Sequence, residues 1–237
     1  MRIVSFSAGI WAANTYVIGS ETPADGNSGA VIIDPGLDSF DQIQQILVTN
    51  SWTPGAVFLT HGHLDHVGEA HRLINDAERS EMAPPGAYIH PADEFMLTDP
   101  VAGLSEELRS VVIDQLGTDR LPKLSSLRYF SDNQTLTSCG FEFHIRHLPG
   151  HSPGCVVIET ATEDDTRVLF SGDVLFAGSI GRMDLAGGSE PEMKTSLRRL
   201  VAEIDAETVV LPGHGSATLM SHELSHNPYL SEEYLNG

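Results

Sequence analysis

Short apolar runs alternate with helical spacings along most of the chain. Residues 3–6, 15–18 (Thr15-Tyr16-Val17-Ile18) and 30–34 (Ala30-Val31-Ile32-Ile33-Asp34) have the β-branched and aromatic content of strands. Thr22 to Asn27, with Pro23 and Gly26, is a turn region between the last two. Asp38 is an N-cap candidate, and beyond it Ile43, Ile46 and Leu47 recur at helical spacing. Val57-Phe58-Leu59 is another buried strand, and it runs directly into a His-rich stretch.

The second half follows the same pattern. Ser105 to Leu116 is helical, with Glu106 and Glu107 suited to the positive end of the helix dipole. Phe141, Phe143 and Ile145 alternate as a half-buried strand does, and strands at Cys155–Glu159 and Val168–Phe170 flank the polar turn Thr162-Glu163-Asp164-Asp165. Ser189-Glu190-Pro191-Glu192 is a capping-box sequence, and Met193, Leu197, Leu200, Val201 and Ile204 form the apolar stripe of the helix it opens. Thr208–Leu211 is a last strand. Strands, helices and strands again, with no linker and no repeat, predict one α/β domain over residues 1–237.

Composition narrows the function. The chain has 237 residues, enough to bury a core without disulfide staples, and its two Cys build no disulfide framework. Hydrophobic residues make up 41% and the mean hydropathy is −0.09, values of a soluble globular protein. Asp and Glu number 33 against 13 Lys and Arg, for a formal charge of −20, which repels phosphate backbones and argues against nucleic-acid partners. No apolar stretch approaches the ~18 residues of a membrane span, and the start Met1-Arg2-Ile3-Val4-Ser5-Phe6 lacks the core of a signal peptide. The expected setting is cytoplasmic, with no membrane partner. Eleven His beside this many acids direct attention to metal chemistry.

Thr60-His61-Gly62-His63-Leu64-Asp65-His66 places four metal-capable side chains within six positions, directly after a buried strand. Imidazole and carboxylate suit Zn²⁺, Mn²⁺ or Fe²⁺. Three more candidates each follow a predicted strand and sit among small residues: His151 in Pro149-Gly150-His151-Ser152-Pro153-Gly154, Asp173 in Ser171-Gly172-Asp173, and His214 in Pro212-Gly213-His214-Gly215. Small neighbours let backbone approach a ligand closely, and strand ends are where α/β sites collect. Taken singly each is an ordinary loop residue; with the first cluster they supply what a site for two divalent transition-metal ions needs.

This series of His-x-His-x-Asp-His followed by His, Asp and His resembles the metallo-β-lactamase superfamily, from about residue 10 onward. Leu175 to Leu185 and the ending Asn227-Pro228-Tyr229 resemble its short glyoxalase II-like branch. The resemblance implies an αββα sandwich of two face-to-face mixed β-sheets with helices outside. It puts His61, His63 and His151 on a first metal, Asp65, His66 and His214 on a second, and Asp173 between both. It further implies a small-molecule substrate and a pair of metals, zinc first, with iron or manganese accepted by the same donors. Asp173 stands where β-lactamases of the superfamily usually have Cys or Ser. Two departures bear on glutathione specificity: the chain ends too soon for the C-terminal helical domain of full-length glyoxalase II, and Met183 stands where the branch commonly has Thr. Nucleases of the superfamily carry an extra domain that is absent here.

The expected reaction is hydrolysis of a thioester. Two metals ~3.5–4 Å apart bring a bridging water near neutral pKa and polarise the acyl oxygen, with Asp65 and Asp173 orienting the hydroxide. A thiol of pKa ~8.5 departs without an acid, which an amine leaving group would need. The alternatives are a mononuclear iron persulfide dioxygenase, using His61, His151 and Asp173, and a lactonase. Arg182 is either the loop partner of Asp184 or a clamp on a substrate carboxylate, to which it offers a two-pronged fork. Asn14 and Tyr16 read as structural. Cys155 reads as a small buried residue or as a thiol beside the metals. His71, His90, His144, His147, His222 and His226 lack ligand-like surroundings. Whether the protein is a monomer or a dimer is not written in the sequence.

Overall fold

The computed structural model describes residues 1–21, 28–79, 85–102 and 104–237. The turn expected at Thr22–Asn27 lies outside these residues. Two six-stranded mixed sheets form the centre of the molecule. The first contains β1 (Arg2–Ala8), β2 (Ala13–Gly19), β3 (Ser28–Ile33), β4 (Trp52–Phe58), β5 (Gly86–Ile89) and β6 (Leu127–Tyr129), in that spatial order. The second contains β7 (Gln134–Ser138), β8 (Phe141–His147), β9 (Val156–Ala161), β10 (Arg167–Gly172), β11 (Val209–Pro212) and β12 (Thr218–Leu219), likewise in order.

Residue alternation along the strands builds four layers. In β3, Val31 and Ile33 point between the sheets, where they join Phe58 of β4 with Phe143, Ile158 and Phe170 of the second sheet. Ala30 and Ile32 point the other way, onto α1 (Phe40–Asn50) and α3 (Ala70–Arg79) through Ile43, Leu47, Leu73 and Ile74. Val157, Leu169 and Val210 do the same for the second sheet, against Met193, Leu197 and Leu200 of α5 (Glu190–Glu203). Strands buried on both faces read as continuous apolar runs, which is why β3, β4 and β9 are visible in the sequence. The result is the αββα sandwich that the resemblance implies.

The helix starts are set locally. Ser105 Oγ accepts from Leu108 N at the head of α4 (Glu106–Leu116), and Ser189 Oγ accepts from Glu192 N at the head of α5. At α1 the expected N-cap is corrected. Asp38 has φ +62°, a left-handed conformation that Asp tolerates, and Ser39 takes the cap position. Among the described residues no helix is long and apolar enough to cross a membrane.

Candidate metal centre

All seven predicted ligands sit at one rim of the sandwich, five on loops and two on a single helical turn. β3 and β4 run parallel, β10 and β11 run parallel, and β8 points the same way as β10, so the chain leaves each of these strands at the same edge. His61 and His63 follow β4. Asp65 and His66 lie on the single turn α2 (Leu64–Val67), whose start is fixed by His66 and Val67 N–H donating to the His63 carbonyl. His151 follows β8, Asp173 follows β10 and His214 follows β11.

Each imidazole but one has its outer nitrogen committed. Thr60 Oγ1 gives its proton to Asp34 Oδ2 at 2.6 Å, so the 3.1 Å contact with His61 Nδ1 has the imidazole as donor. His66 Nδ1 donates to Asp34 Oδ2 at 2.9 Å, His151 Nδ1 to the Arg182 carbonyl at 2.7 Å, and His214 Nδ1 to the Trp11 carbonyl at 3.1 Å. In all four the lone pair is left on Nε2, which faces inward, and orienting partners of this kind are what metal-ligating His have. His63 presents Nδ1 instead.

These nitrogens crowd one another in two groups. His63 Nδ1 is 2.8 Å from His151 Nε2, with the His61 ring 4.8 Å from each of theirs, centre to centre. His66 Nε2 is 3.2 Å from His214 Nε2, and Asp65 Oδ2 lies 3.3 Å from the latter. Asp173 stands between the groups, with Oδ1 3.4 Å from His66 Nε2 and Oδ2 3.4 Å from His151 Nε2. His61 Nε2 and Asp173 Oδ1 are buried without a hydrogen-bond partner. Ring nitrogens crowded on one another, beside a buried imidazole nitrogen and a carboxylate oxygen with no hydrogen-bond partner, are the surroundings that bound cations satisfy, so the residues fit a pair of divalent metals.

The electrostatics carry the same demand. Burial, reinforced by neighbouring imidazoles, holds His61 well below its usual value and lowers His63 and His151 to about 4, leaving all three neutral and ready to ligate. Burial also opposes charge on His66, yet Asp173, Asp65 and Asp34 around it push it up to about 10, so without metal a proton takes the cation's place. Burial raises Asp173, whereas at Asp65 it is outweighed by His66 and His214, which hold that carboxyl well below its ordinary range.

Two carboxylates that the sequence does not single out as site residues organise the rim. Asp34, buried at the end of β3, also accepts from Thr60 N at 2.8 Å. It lies close enough to His61 and His66 to resemble a third ligand group, but its oxygens are consumed by Thr60 and the outer nitrogen of His66, which makes it an orienting residue. The signal for it was available: Asp34-Pro35-Gly36 follows an apolar run, as the other strand-end ligands do. Asp93, fully buried, accepts from Gly62 N (2.9 Å), Ser152 Oγ (2.6 Å) and Gly154 N (2.6 Å), binding the His63 loop to the His151 loop. Nothing local in the sequence marks it.

Asn14 and Tyr16 fasten the His214 loop to β2. Asn14 Nδ2 donates to the Pro212 and Gly215 carbonyls, and Tyr16 Oη donates to Pro212. Cys155 is buried with Sγ 3.0 Å from Ser152 Oγ. Arg182 lines the cleft over the centre, with its guanidinium forked onto Asp184 at 2.6 Å for both contacts. His71 meets the Leu97 carbonyl, His90 stacks on His147 and His222 on His226, and none of these five lines the cleft.

The chain is similar to known proteins over most of its length. Residues 8–214 match the family model described as the metallo-beta-lactamase superfamily. The chain is 32% identical to the hydroxyacylglutathione hydrolase GloC of Haemophilus influenzae over 213 residues, covering 88% of this chain and 91% of that protein. Two solved structures are similar throughout. One is the B3 metallo-beta-lactamase BLEG-1, with 31% identity, a TM-score of 0.76 and coverage of 97% of this chain and 100% of that one. The other is TTHA1623 in a di-iron-bound form, with 30% identity, a TM-score of 0.72 and coverage of 96% and 100%.

Proposed function

Because the chain belongs to the metallo-β-lactamase superfamily and is a metal-dependent hydrolase of that superfamily, we propose that it cleaves thioesters of small molecules in the manner of a glyoxalase II-like enzyme. The observation that carries the reading is Asp173, whose two oxygens lie 3.4 Å from His66 of one group and 3.4 Å from His151 of the other. An aspartate shared between two full sets of donors suits a hydrolytic pair of metals better than a single iron. The similarity to GloC supports the choice of ester.

Metals held by His61, His63, His151 and by Asp65, His66, His214, with Asp173 common to both, would supply an activated water and polarise the acyl oxygen. The chain does the rest. Asp65 and Asp173 line the cleft, and Asp65, kept ionised by His66 and His214, would orient the activated water rather than store its proton. Among the described lining residues outside the ligand set, the ionisable groups are Asp99 and Arg182, each in an ion pair, Asp99 with Arg120 at 2.6 Å and Arg182 with Asp184. Neither is a free acid for an amine leaving group, whereas a thiolate of pKa ~8.5 leaves unaided. Arg182 stands at the rim with both prongs of its guanidinium on Asp184. Zinc is the first choice of metal, with iron or manganese served by the same donors.

An anaerobic assay tests the reading. The zinc-loaded protein should release carboxylate and thiol in equal amounts from a thioester, at the same rate with and without oxygen. Oxygen uptake with a persulfide and no thioester cleavage would replace it with the dioxygenase reading. Faster opening of a lactone or a β-lactam than of any thioester would overturn the choice of ester.

A further inference from the structure

The cleft that leads to the metal centre has a volume of about 460 Å³, and its lining is of two kinds. The floor is the ligand set. Most of the rest is carbon: Trp11, Leu104, Leu108, Val112, Phe176 and Ile180 all line it, beside the polar Asp99, Ser179 and Arg182. Val112 and Ile180 are buried and the other four are half-buried, so the surface they offer is packed in place. Leu108 and Val112 come from one face of α4, and Leu104 from the segment just before it, so a single short helix roofs the apolar end. Trp11 and Leu104 pack against the small core of Leu37, Leu64, Val101 and Val112 that holds this roof down.

Charge in the cleft points away from an anionic occupant. Arg182 is the one Arg or Lys among the described lining residues, and Asp184 occupies its fork. Asp99 also lines the cleft, with Oδ2 on Arg120 and Oδ1 buried without a partner. A peptide-like thiol with two carboxylates would meet no unpaired cation among the described lining residues. An alkyl chain or ring would meet a wall that gains by losing water.

We propose that the cleft selects thioesters with an uncharged, apolar acyl arm of about six to eight carbons or an aryl ring, seated under α4. The inference rests on the thioesterase reading for the bond that is cut, and on the cleft alone for the arm that is held. Each methylene buried under the roof should raise kcat/KM by about threefold, until the cleft is full.

A series of thioesters of N-acetylcysteamine, a small neutral thiol, tests this on the zinc-loaded protein. From acetyl through butyryl and hexanoyl to octanoyl, kcat/KM should climb at least thirtyfold in total, mainly through KM. Leu108→Asn, checked by metal content and thermal melting for intact folding, should flatten the climb. A flat series, or S-lactoylglutathione outrunning the octanoyl ester, would overturn the inference while leaving the thioesterase reading standing. Calorimetric binding of octanoate against acetate separates the two in the other direction. If no thioester is cleaved but octanoate binds at least tenfold more tightly than acetate, the reaction assigned is wrong and the apolar cleft stands. Equal binding would overturn the cleft whatever the reaction.

Discussion

Asp34 Oδ2 lies 2.9 Å from the outer nitrogen of His66, and the same oxygen accepts the Thr60 hydroxyl at 2.6 Å, so one buried carboxylate aims both His66 and, through Thr60, His61. These two histidines belong to different ligand groups. Asp34→Ala should therefore weaken both metals together, by about 10–100-fold in affinity, the usual cost of losing an orienting partner. Chelator competition followed by elemental analysis measures it. Loss of one metal alone would mean that Asp34 serves His66 only.

Protein loaded with excess zinc should hold close to two ions per chain, and Asp173→Ala should lower that number and abolish activity, since its carboxylate stands between both groups. His71→Ala and His222→Ala should leave the metal count unchanged. A count of one in the metal-replete wild type would remove the paired centre.

Asp93 predicts a different failure. Asp93→Ala strands two buried backbone N–H groups, at Gly62 and Gly154, and the Ser152 hydroxyl. At about 1–3 kcal/mol for each unsatisfied group, partly relieved by entering water, the loss of stability should be roughly 2–5 kcal/mol in denaturant melts. Asp93→Asn keeps the volume and part of the bonding, and should lose less.

Gly213 is fixed by close approach. A Cβ there would stand 2.2 Å from Asp173 Oδ1 and 2.7 Å from His66 Cε1. Gly213→Ala should lower metal content and activity together. Gly140→Ala makes the contrast: Gly140 has φ +83° with open space around it, so its substitution should cost stability without touching the metals.

The pH dependence of folding should carry a contribution from His90. Burial, together with the stacked His147 ring 3.7 Å away, lowers its pKa from 6.5 to about 4. The unfolded chain takes up this proton first, so the contribution is complete above pH 6.5 and is lost as pH falls toward 4. His90→Phe keeps a ring to stack and cannot titrate. Its melting temperature should fall less steeply than wild type between those limits, and parallel profiles would show that His90 contributes nothing.

The ligands were legible because coordination restricts them to a few residue types, and His61-x-His63-x-Asp65-His66 has little other use after a core strand. The long core strands were legible for a related reason: burial on both faces leaves Val31-Ile32-Ile33 and Val156-Val157-Ile158 without polar interruptions. β5, β6 and β12, of four, three and two residues, are too short to show any period. Asp93 was hidden for a topological reason. Its partners lie 31 and 61 positions away, and only the folded chain brings the two loops to it. The N-cap of α1 was misplaced by one residue because Asp38 adopts a left-handed turn that its side chain tolerates.

The order of the sheets gives the metals a mechanical task. Residues 2–129 complete the first sheet and residues 134–219 complete the second, with no strand exchanged among the described residues. His61, His63, Asp65 and His66 ride on the first, and His151, Asp173 and His214 on the second. Ions held by both sets of residues would act as rivets through two plates, each fastened to both. Pulling the plates apart must break coordination before it exposes the aromatic layer between them, so a chelator should speed unfolding much more than it slows folding.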